Sequence, residues 1–522
     1  MHKLPLILVS AVFLLSLDSR AFEHKDSDVQ FLEYSRDVIA DNKNQKRPYF
    51  LLFSAQWCHW CAVFNERTLH EKKVSDFLNS NFVNVFVDTD INGGAYKKYK
   101  ARGWPYVVFL NPDGSIYYKY SGTLYADDFL QVIKEISVNA KNGRSVFEND
   151  SASIKYEPPQ KIDLEALKTS GREFRQAVLE NFDSKEFGVG RGEKAVLPRT
   201  FLYLLSSSDR KLREEAYQFI AGTMQSAIAH IYDPVEGGFY RYAEKRDWQI
   251  PHFEKMADLN AGSVLLLYKL HKRLGDPSFK QVAGQTLKYI TSRLYNNDIG
   301  SFMSFQEADT SYYFLNESRR KKAQQPPMAE KIFIDRLANT LDYLIDTLEY
   351  TSEFDLQSKI RSSLDFAGKM ILAEDKVKHY YSIADKRWMK DGGLSDNAVL
   401  SRVFLKAASV FKSKNYQEIA DKIIIDVQQK YFVRNKKIFF DELAGDFDDI
   451  ESLIEINGLL ALSLMHPTQS AKSQSSKVTD DLMTYFSKAN ELIEDRTWDA
   501  REWWFAESYV PYMAAADKYL AK

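Results

Sequence analysis

From Pro48 to Ser54 the chain is apolar and aromatic without a break, the pattern of a strand buried on both faces. Ala55-Gln56-Trp57-Cys58-His59-Trp60-Cys61 follows, then Val63, Phe64, Val74, Phe77 and Leu78 at near-helical spacing, then a second strand pattern from Phe82 to Val87. Strand, helix, strand at this spacing predicts a β-α-β unit of a parallel sheet. Gly103 to Leu110 reads as another buried strand opened by a proline, and the turn residues Asn111-Pro112-Asp113-Gly114 lead into Ser115–Tyr120, predicting a hairpin. From 141 to 160 the pattern turns polar and ends in Tyr156-Glu157-Pro158-Pro159, a domain border. Beyond it the apolar positions recur at helical spacing in eleven stretches: 164–179, 199–205, 212–230, 257–274, 279–294, 336–351, 354–372, 397–411, 416–431, 450–464 and 480–492. No long strand is expected among them. Aromatic and glycine loops recur between the helices: Phe182-Asp183 with Phe187-Gly188, Tyr232-Asp233 with Gly237-Gly238-Phe239, Asn297-Asp298 with Gly300-Ser301-Phe302, Asp391-Gly392-Gly393 and Lys437 to Phe440. A period of about 50–60 residues is one helix pair plus a loop, so the region holds six pairs. Six hairpins close into an (α/α)6 toroid; an open solenoid is the alternative.

Composition agrees with a helical majority. Across 522 residues there are 22 glycines and 14 prolines, well below the usual combined share of about 12%. With 45% hydrophobic residues, including 34 Phe, 30 Tyr and 8 Trp, the chain can bury a large core, which excludes disorder. The net charge of −2 supplies no basic excess for phosphates, so nucleic acid is not expected as a partner. Met1-His2-Lys3, the apolar run Leu4–Leu17 and Ser19-Arg20-Ala21 have the layout of a secretory signal cut after Ala21, with an uncleaved anchor as the alternative. The expected location is therefore the periplasm, or the ER lumen or exterior of a eukaryotic cell, without stable membrane insertion after cleavage. The domain reading is 1–21 signal peptide, 22–140 α/β domain, 141–160 linker and 161–522 helical domain.

Cys58 and Cys61 are the chain's two cysteines. A CxxC at a strand-to-helix junction places the first sulfur at a helix N-terminus, where free N–H groups favour thiolate over thiol. Cys58 is then the nucleophile, and Cys61, one turn on, resolves the mixed disulfide. His59 adds positive charge at mildly acid pH, or simply fills the helix start as an exposed polar residue. Trp57 and Trp60 pack the motif. Structural zinc requires four ligands and no second CxxC exists, and covalent haem requires His after the second cysteine, where Ala62 stands. A purely structural disulfide remains the competing reading, although so short a loop gains little from cross-linking. No metal or other cofactor is expected.

The stretch from Phe53 to Gly122, with WCHWC and Trp104-Pro105, resembles a thioredoxin fold. The resemblance implies that Pro105 is a cis-proline facing the cysteines. CHWC with Phe77 to Val83 and Val87-Asp88 is similar, more specifically, to the spermatogenesis-associated thioredoxin-like proteins and their bacterial relatives. Gly237 to Tyr242, Trp248, Pro251 to Met256 and Phe302 to Asp309 match that family's helical domain, and Lys194 to Pro198 does so faintly. The implied fold is an α/β thioredoxin-like N-terminal domain followed by an all-α (α/α)6 six-hairpin toroid. Asp335 and Asp396 fall where the family has acidic residues at the starts of inner helices. Ala62 departs from the family's His after the second cysteine, and with Trp57 this favours a conventional redox role.

Related six-hairpin barrels include glycosidases and sugar epimerases. Glycoside hydrolysis needs two carboxylates flanking one bond, and Glu254, Glu307, Asp309 and Asp335 are candidates by motif. Epimerisation wants paired acid/base groups, commonly histidines, and of those in this region only His252 lies in a recognisable motif. Tyr240, Tyr242, Trp248 and Phe253 could stack on sugar faces or belong to the core, and Arg241 belongs to the same mouth. The leading expectation is an exported thiol-disulfide oxidoreductase acting on a disulfide-bearing protein or an upstream redox partner, its barrel positioning a partner or a carbohydrate. The alternative is a carbohydrate-active or carbohydrate-binding protein with an ancillary thioredoxin module.

Overall fold

The computed structural model describes residues 27–41, 47–99, 101, 103–141, 159–441, 450–466, 472–494 and 504–521. The expected leader, 1–21, and most of the 141–160 linker lie outside the described residues.

Five strands make one sheet, β1 (Leu32–Glu33), β2 (Tyr49–Ser54), β3 (Val83–Asp88), β4 (Tyr106–Leu110) and β5 (Ile116–Ser121), in the order β1-β3-β2-β4-β5. Central β2 runs parallel to β3, with Tyr49 opposite Val83, and antiparallel to β4, with Tyr49 opposite Leu110. All six of its residues are buried, which is why it reads as an uninterrupted apolar run rather than an alternating one. The two-residue period still sorts its side chains: Phe50 and Leu52 join one core cluster with Phe129 and Ile133, while Tyr49, Leu51 and Phe53 face Ala95 and Tyr99. Helices α1 (Arg36–Asp41), α2 (His59–Phe64), α3 (Lys72–Asn81), α4 (Gly93–Lys98) and α5 (Ala126–Lys141) accompany the sheet. The expected hairpin forms, closed by Asn111 N–H on Ser115 O at 2.8 Å, with Gly114 at φ 88°.

The rest is mostly helix: α6 (Leu164–Glu180), α7 (Pro198–Leu205), α8 (Arg210–His230), α9 (Ala257–Leu274), α10 (Pro277–Ser292), the single turns α11 (Thr310–Tyr313) and α12 (Glu317–Arg320), α13 (Ile334–Thr347), α14 (Leu356–Glu374), α15 (Leu394–Phe411), α16 (Lys414–Lys430), α17 (Ile450–Leu464), α18 (Lys472–Glu494) and α19 (Trp504–Leu520). In the order α7, α9, α13, α15, α17, α19 each packs on the next, and α19 returns onto α7. α9 and α15 bury residues around nearly their whole circumference, as enclosed helices must, while α8 buries one stripe. The loop recurrence has a structural counterpart. The Asp183 N–H reaches Gly188 O and the Asp233 N–H reaches Gly238 O, at 2.8 and 2.9 Å. Asn260 clamps the backbone of Phe239 from both sides, and Asn457 does the same to Phe439.

Two elements depart from expectation. Helix α19 lies where no helix is predicted; its internal Pro511 leaves the Glu507 carbonyl without its helical donor, and the Arg199 guanidinium supplies one at 3.2 Å. Strands at Lys378–Ser382 and Arg387–Asp391, together with Lys331–Phe333, form a three-stranded sheet in the region where no long strand is expected. Their side chains are mostly half-exposed, so no apolar run marks them.

Candidate functional site at the module interface

Cys58 caps α2: the Cys61 N–H donates to its Sγ at 3.1 Å, and the Cys61 and Ala62 N–H groups reach its carbonyl. The two sulfurs form a disulfide. The pair is not open to solvent, with Cys58 5% and Cys61 0% exposed. The apolar cluster that holds it draws on both domains.

The cover follows from strand alternation. Lys255–Met256 pairs with Phe305–Gln306, Phe305 opposite Met256 and Gln306 opposite Lys255. Lys255 and Gln306 point into the helical core, where Lys255 bonds Asp233 at 2.7 Å and Gln306 accepts from the Tyr289 hydroxyl at 2.9 Å. Met256 and Phe305 point the other way, into one apolar cluster with Trp57, Cys58, Cys61, Ala329 and Phe333. By the same alternation Glu254 and Glu307 fall on that face. The Gln56 amide donates to Glu307 Oε1 at 3.3 Å, and Glu254 is 1% exposed with its Oε2 unpartnered. His59 has its pKa lowered by burial, against which Glu254 is the strongest opposing charge.

An aromatic stack extends the contact. Trp57 meets Trp104 edge to face at 5.0 Å, Tyr96 stacks on Trp104 at 4.9 Å, and the Arg241 guanidinium lies 3.9 Å from the Trp57 ring centroid. The Trp104-Pro105 peptide is cis, and Pro105 O accepts from the Gly122 N–H at 2.8 Å.

A polar contact anchors the loop after β3. The Asp90 carboxylate faces Arg336 at 3.4 Å, and Lys390 Nζ donates to Ile91 O and to Asn92 Oδ1. His379 donates from Nε2 to the Asp90 carbonyl at 2.6 Å and from Nδ1 to Asp396 at 2.9 Å. Burial works against its charged form, but the charge and hydrogen bond of Asp396, with the Asp335 charge and the Asp90 carbonyl, together outweigh it and raise its pKa to about 9. Burial raises the Asp90 carboxyl despite Arg336, and burial with the neighbouring Asp90 charge lifts Asp88 to about 6.

The structure thus gathers Cys58, Cys61, Trp57, His59, Arg241, Glu254 and Glu307 at one interface. Trp60 is also there in sequence but 38% exposed, edge-on to His59. Other candidates lie in other settings. Trp248 is enclosed, 1% exposed, with its indole N–H on Glu186 O, and presents no face to a sugar. Tyr240 packs against Phe253 and Tyr313. His252 stacks on Tyr242 and bonds Glu244 at 3.0 Å. Asp309 caps α11 through the Tyr312 N–H. Asp335, in the first turn of α13, has its carboxyl raised by burial and belongs electrostatically with Arg336, Asp396 and His379. Asp396 occupies the first turn of α15, as the resemblance implied. Sequence reasoning missed Gln56, Asp90, Arg336, His379 and Lys390. Their contacts span 246 to 299 positions, and no local pattern marks them. Among the described residues no cluster of three or more His, Cys, Asp or Glu is arranged to hold a metal, and no helix is long and apolar enough to cross a membrane.

A sheet of this order with a CxxC disulfide at the start of α2, set on a mostly helical domain, defines a thioredoxin-like module joined to a second, mostly helical one. Residues 16–157 match the family model Thioredox_DsbH, described as a protein of unknown function, DUF255. Over 315 residues the chain is 26% identical to spermatogenesis-associated protein 20 of Rattus norvegicus, a match covering 55% of this chain and 40% of that protein. The chain is similar to that protein over this stretch, and the match spans less than half of the relative's length. Two solved structures share its fold: D-mannose isomerase, with TM-score 0.51 and 9% identity over 72% of this chain and 100% of that one, and cellobiose 2-epimerase from Bacillus thermoamylovorans, with TM-score 0.50 and 12% identity over 66% and 99%. Identities this low speak to fold alone.

Proposed function

We propose that this protein is an exported thiol-disulfide oxidoreductase working through Cys58 and Cys61, with a closed six-hairpin toroid that positions the disulfide's owner. One observation carries the reading: the chain's two cysteines are joined in a CxxC disulfide at the strand-to-helix junction, the place where a thiolate is stabilised. With no third cysteine in the chain, the exchange partner belongs to another molecule. Export, which the leader at 1–21 supports, would put that exchange in a compartment that tolerates disulfides. Reduction of insulin or of a small disulfide tests the activity. The wild type turns over and Cys58→Ser does not; equal rates in both would end the assignment.

A second reading is favoured by Glu254 and Glu307, two buried carboxylates on one face, and by the solved sugar isomerase and epimerase that share the fold. Here the helical domain binds or transforms a carbohydrate and the thioredoxin module is ancillary. It predicts a glycan-dependent rise in melting temperature that Glu254→Gln abolishes, and no shift across a broad glycan panel counts against it.

A further inference from the structure

The covered CxxC limits what can reach it. Arg241 lies over Trp57 and within 5.3 Å of the Trp104 ring centroid, the Pro105 carbonyl is already bonded to Gly122, and Met256, Phe305 and Phe333 pack in the cluster that contains both sulfurs. An extended peptide therefore finds the Pro105 carbonyl already used as a backbone pairing partner beside the disulfide. A small molecule needs no such partner.

The buried polar atoms without a hydrogen-bond partner at this interface include Asp90 Oδ2, Trp57 Nε1 and two further acceptors. Glu254 Oε2 has no partner, and Gln56 Oε1 has none although its amide nitrogen is committed to Glu307. Buried acceptors left bare cost free energy, and a charged one costs most. One comes from the helical domain and one from the residue two before Cys58, so neither module alone forms the site. The titratable groups around it are Glu254, Glu307, Arg241, Glu66, Arg67, His252 and His59, the last held toward its neutral form by burial.

We propose that the interface between the CxxC and the helical domain is a binding site for a low-molecular-weight disulfide or its thiol that carries hydrogen-bond donors, an ammonium above all. This deepens the oxidoreductase reading and rests on it. In the direction that oxidises the protein, the Cys58 thiolate attacks one sulfur of R–S–S–R. A bond from Cys58 Sγ to that sulfur forms as the S–S bond of R–S–S–R breaks, giving the mixed disulfide Cys58–S–S–R, and R–S⁻ departs to take up a proton. Cys61, giving up its proton, then attacks the Cys58 sulfur and expels the second R–S⁻. The protein dithiol loses two electrons, the small disulfide gains them, and two R–SH result. During this exchange Glu254 and the Gln56 carbonyl receive the donors on R.

The test uses the full chain, reduced and freed of reductant, mixed with cystamine, 2-hydroxyethyl disulfide, dithiodiglycolate or insulin. Each rate is divided by that of dithiothreitol with the same disulfide, which removes intrinsic reactivity. A charge-assisted hydrogen bond at the site predicts a normalised preference of about tenfold or more for cystamine over dithiodiglycolate, with the hydroxyl compound between them. Glu254→Gln collapses that preference, and Gln56→Leu weakens it. The wild-type panel stands by itself if a variant fails to fold. Equal normalised rates for the three small disulfides, or insulin outpacing them, overturn the ligand assignment and leave the redox reading intact. Absence of exchange with all four overturns the redox reading itself.

Discussion

His379 ties the helical domain to the thioredoxin-like module, and the tie depends on its charge. Both ring nitrogens face acceptors, Nδ1 the Asp396 carboxylate at 2.9 Å and Nε2 the Asp90 carbonyl at 2.6 Å. A neutral imidazole has one N–H and would turn a lone pair toward one of these oxygens, so the geometry requires the imidazolium. A pKa of about 9 in place of 6.5 agrees. At 1.36 kcal/mol per pH unit the difference is worth about 3 kcal/mol. Because the folded value is the higher one, this stabilisation is complete below the unfolded pKa of 6.5 and is lost as pH rises through about 9. Replacing His379 with Gln supplies a side chain that is neutral at every pH. Guanidinium unfolding followed by tryptophan fluorescence should then show a gap between wild type and His379→Gln of about 3 kcal/mol near pH 6 that narrows steadily toward pH 9.5. A gap that stays constant over this range, or widens with rising pH, would refute the charged link between the modules.

Other consequences concern the cover over the disulfide and the clamps of the helical domain. Arg241→Ala removes a cation lying on Trp57, an interaction worth about 1–2 kcal/mol when desolvated, and should speed iodoacetamide alkylation of Cys58 in the reduced chain by about tenfold; an unchanged rate would mean that docking does not shield the motif. Asn260→Ala strips the Phe239 backbone of a donor and an acceptor in a fully buried place and should cost about 3 kcal/mol in denaturant melts. Asn457→Ala should cost a similar amount at Phe439, and a loss below about 1 kcal/mol in both would show that the repeated clamp is not a stabilising element.

Much of the fold was legible because the signals are local. An unbroken apolar run marks a doubly covered strand, and a repeating 3.6-residue stripe marks a helix against a core, so β2 and most of the helical elements could be read within a few residues of their ends. The CxxC was legible for the same reason, since its chemistry needs two cysteines at one spacing after a strand. Where a compensating contact came from far away the reading failed. Helix α19 accommodates Pro511 because Arg199, over 300 positions away, donates to the Glu507 carbonyl, and the Lys378–Asp391 hairpin lies on half-exposed residues without an apolar pattern.

Two cysteines, the elements around them and the family resemblance were therefore set by the sequence alone. That the disulfide lies buried, that Glu254 and Glu307 face it, and that Asp90 is held by Arg336 and His379 were decided by tertiary structure. Those relations join residues roughly 200 to 300 positions apart, and periodicity and spacing report only on neighbours along the chain.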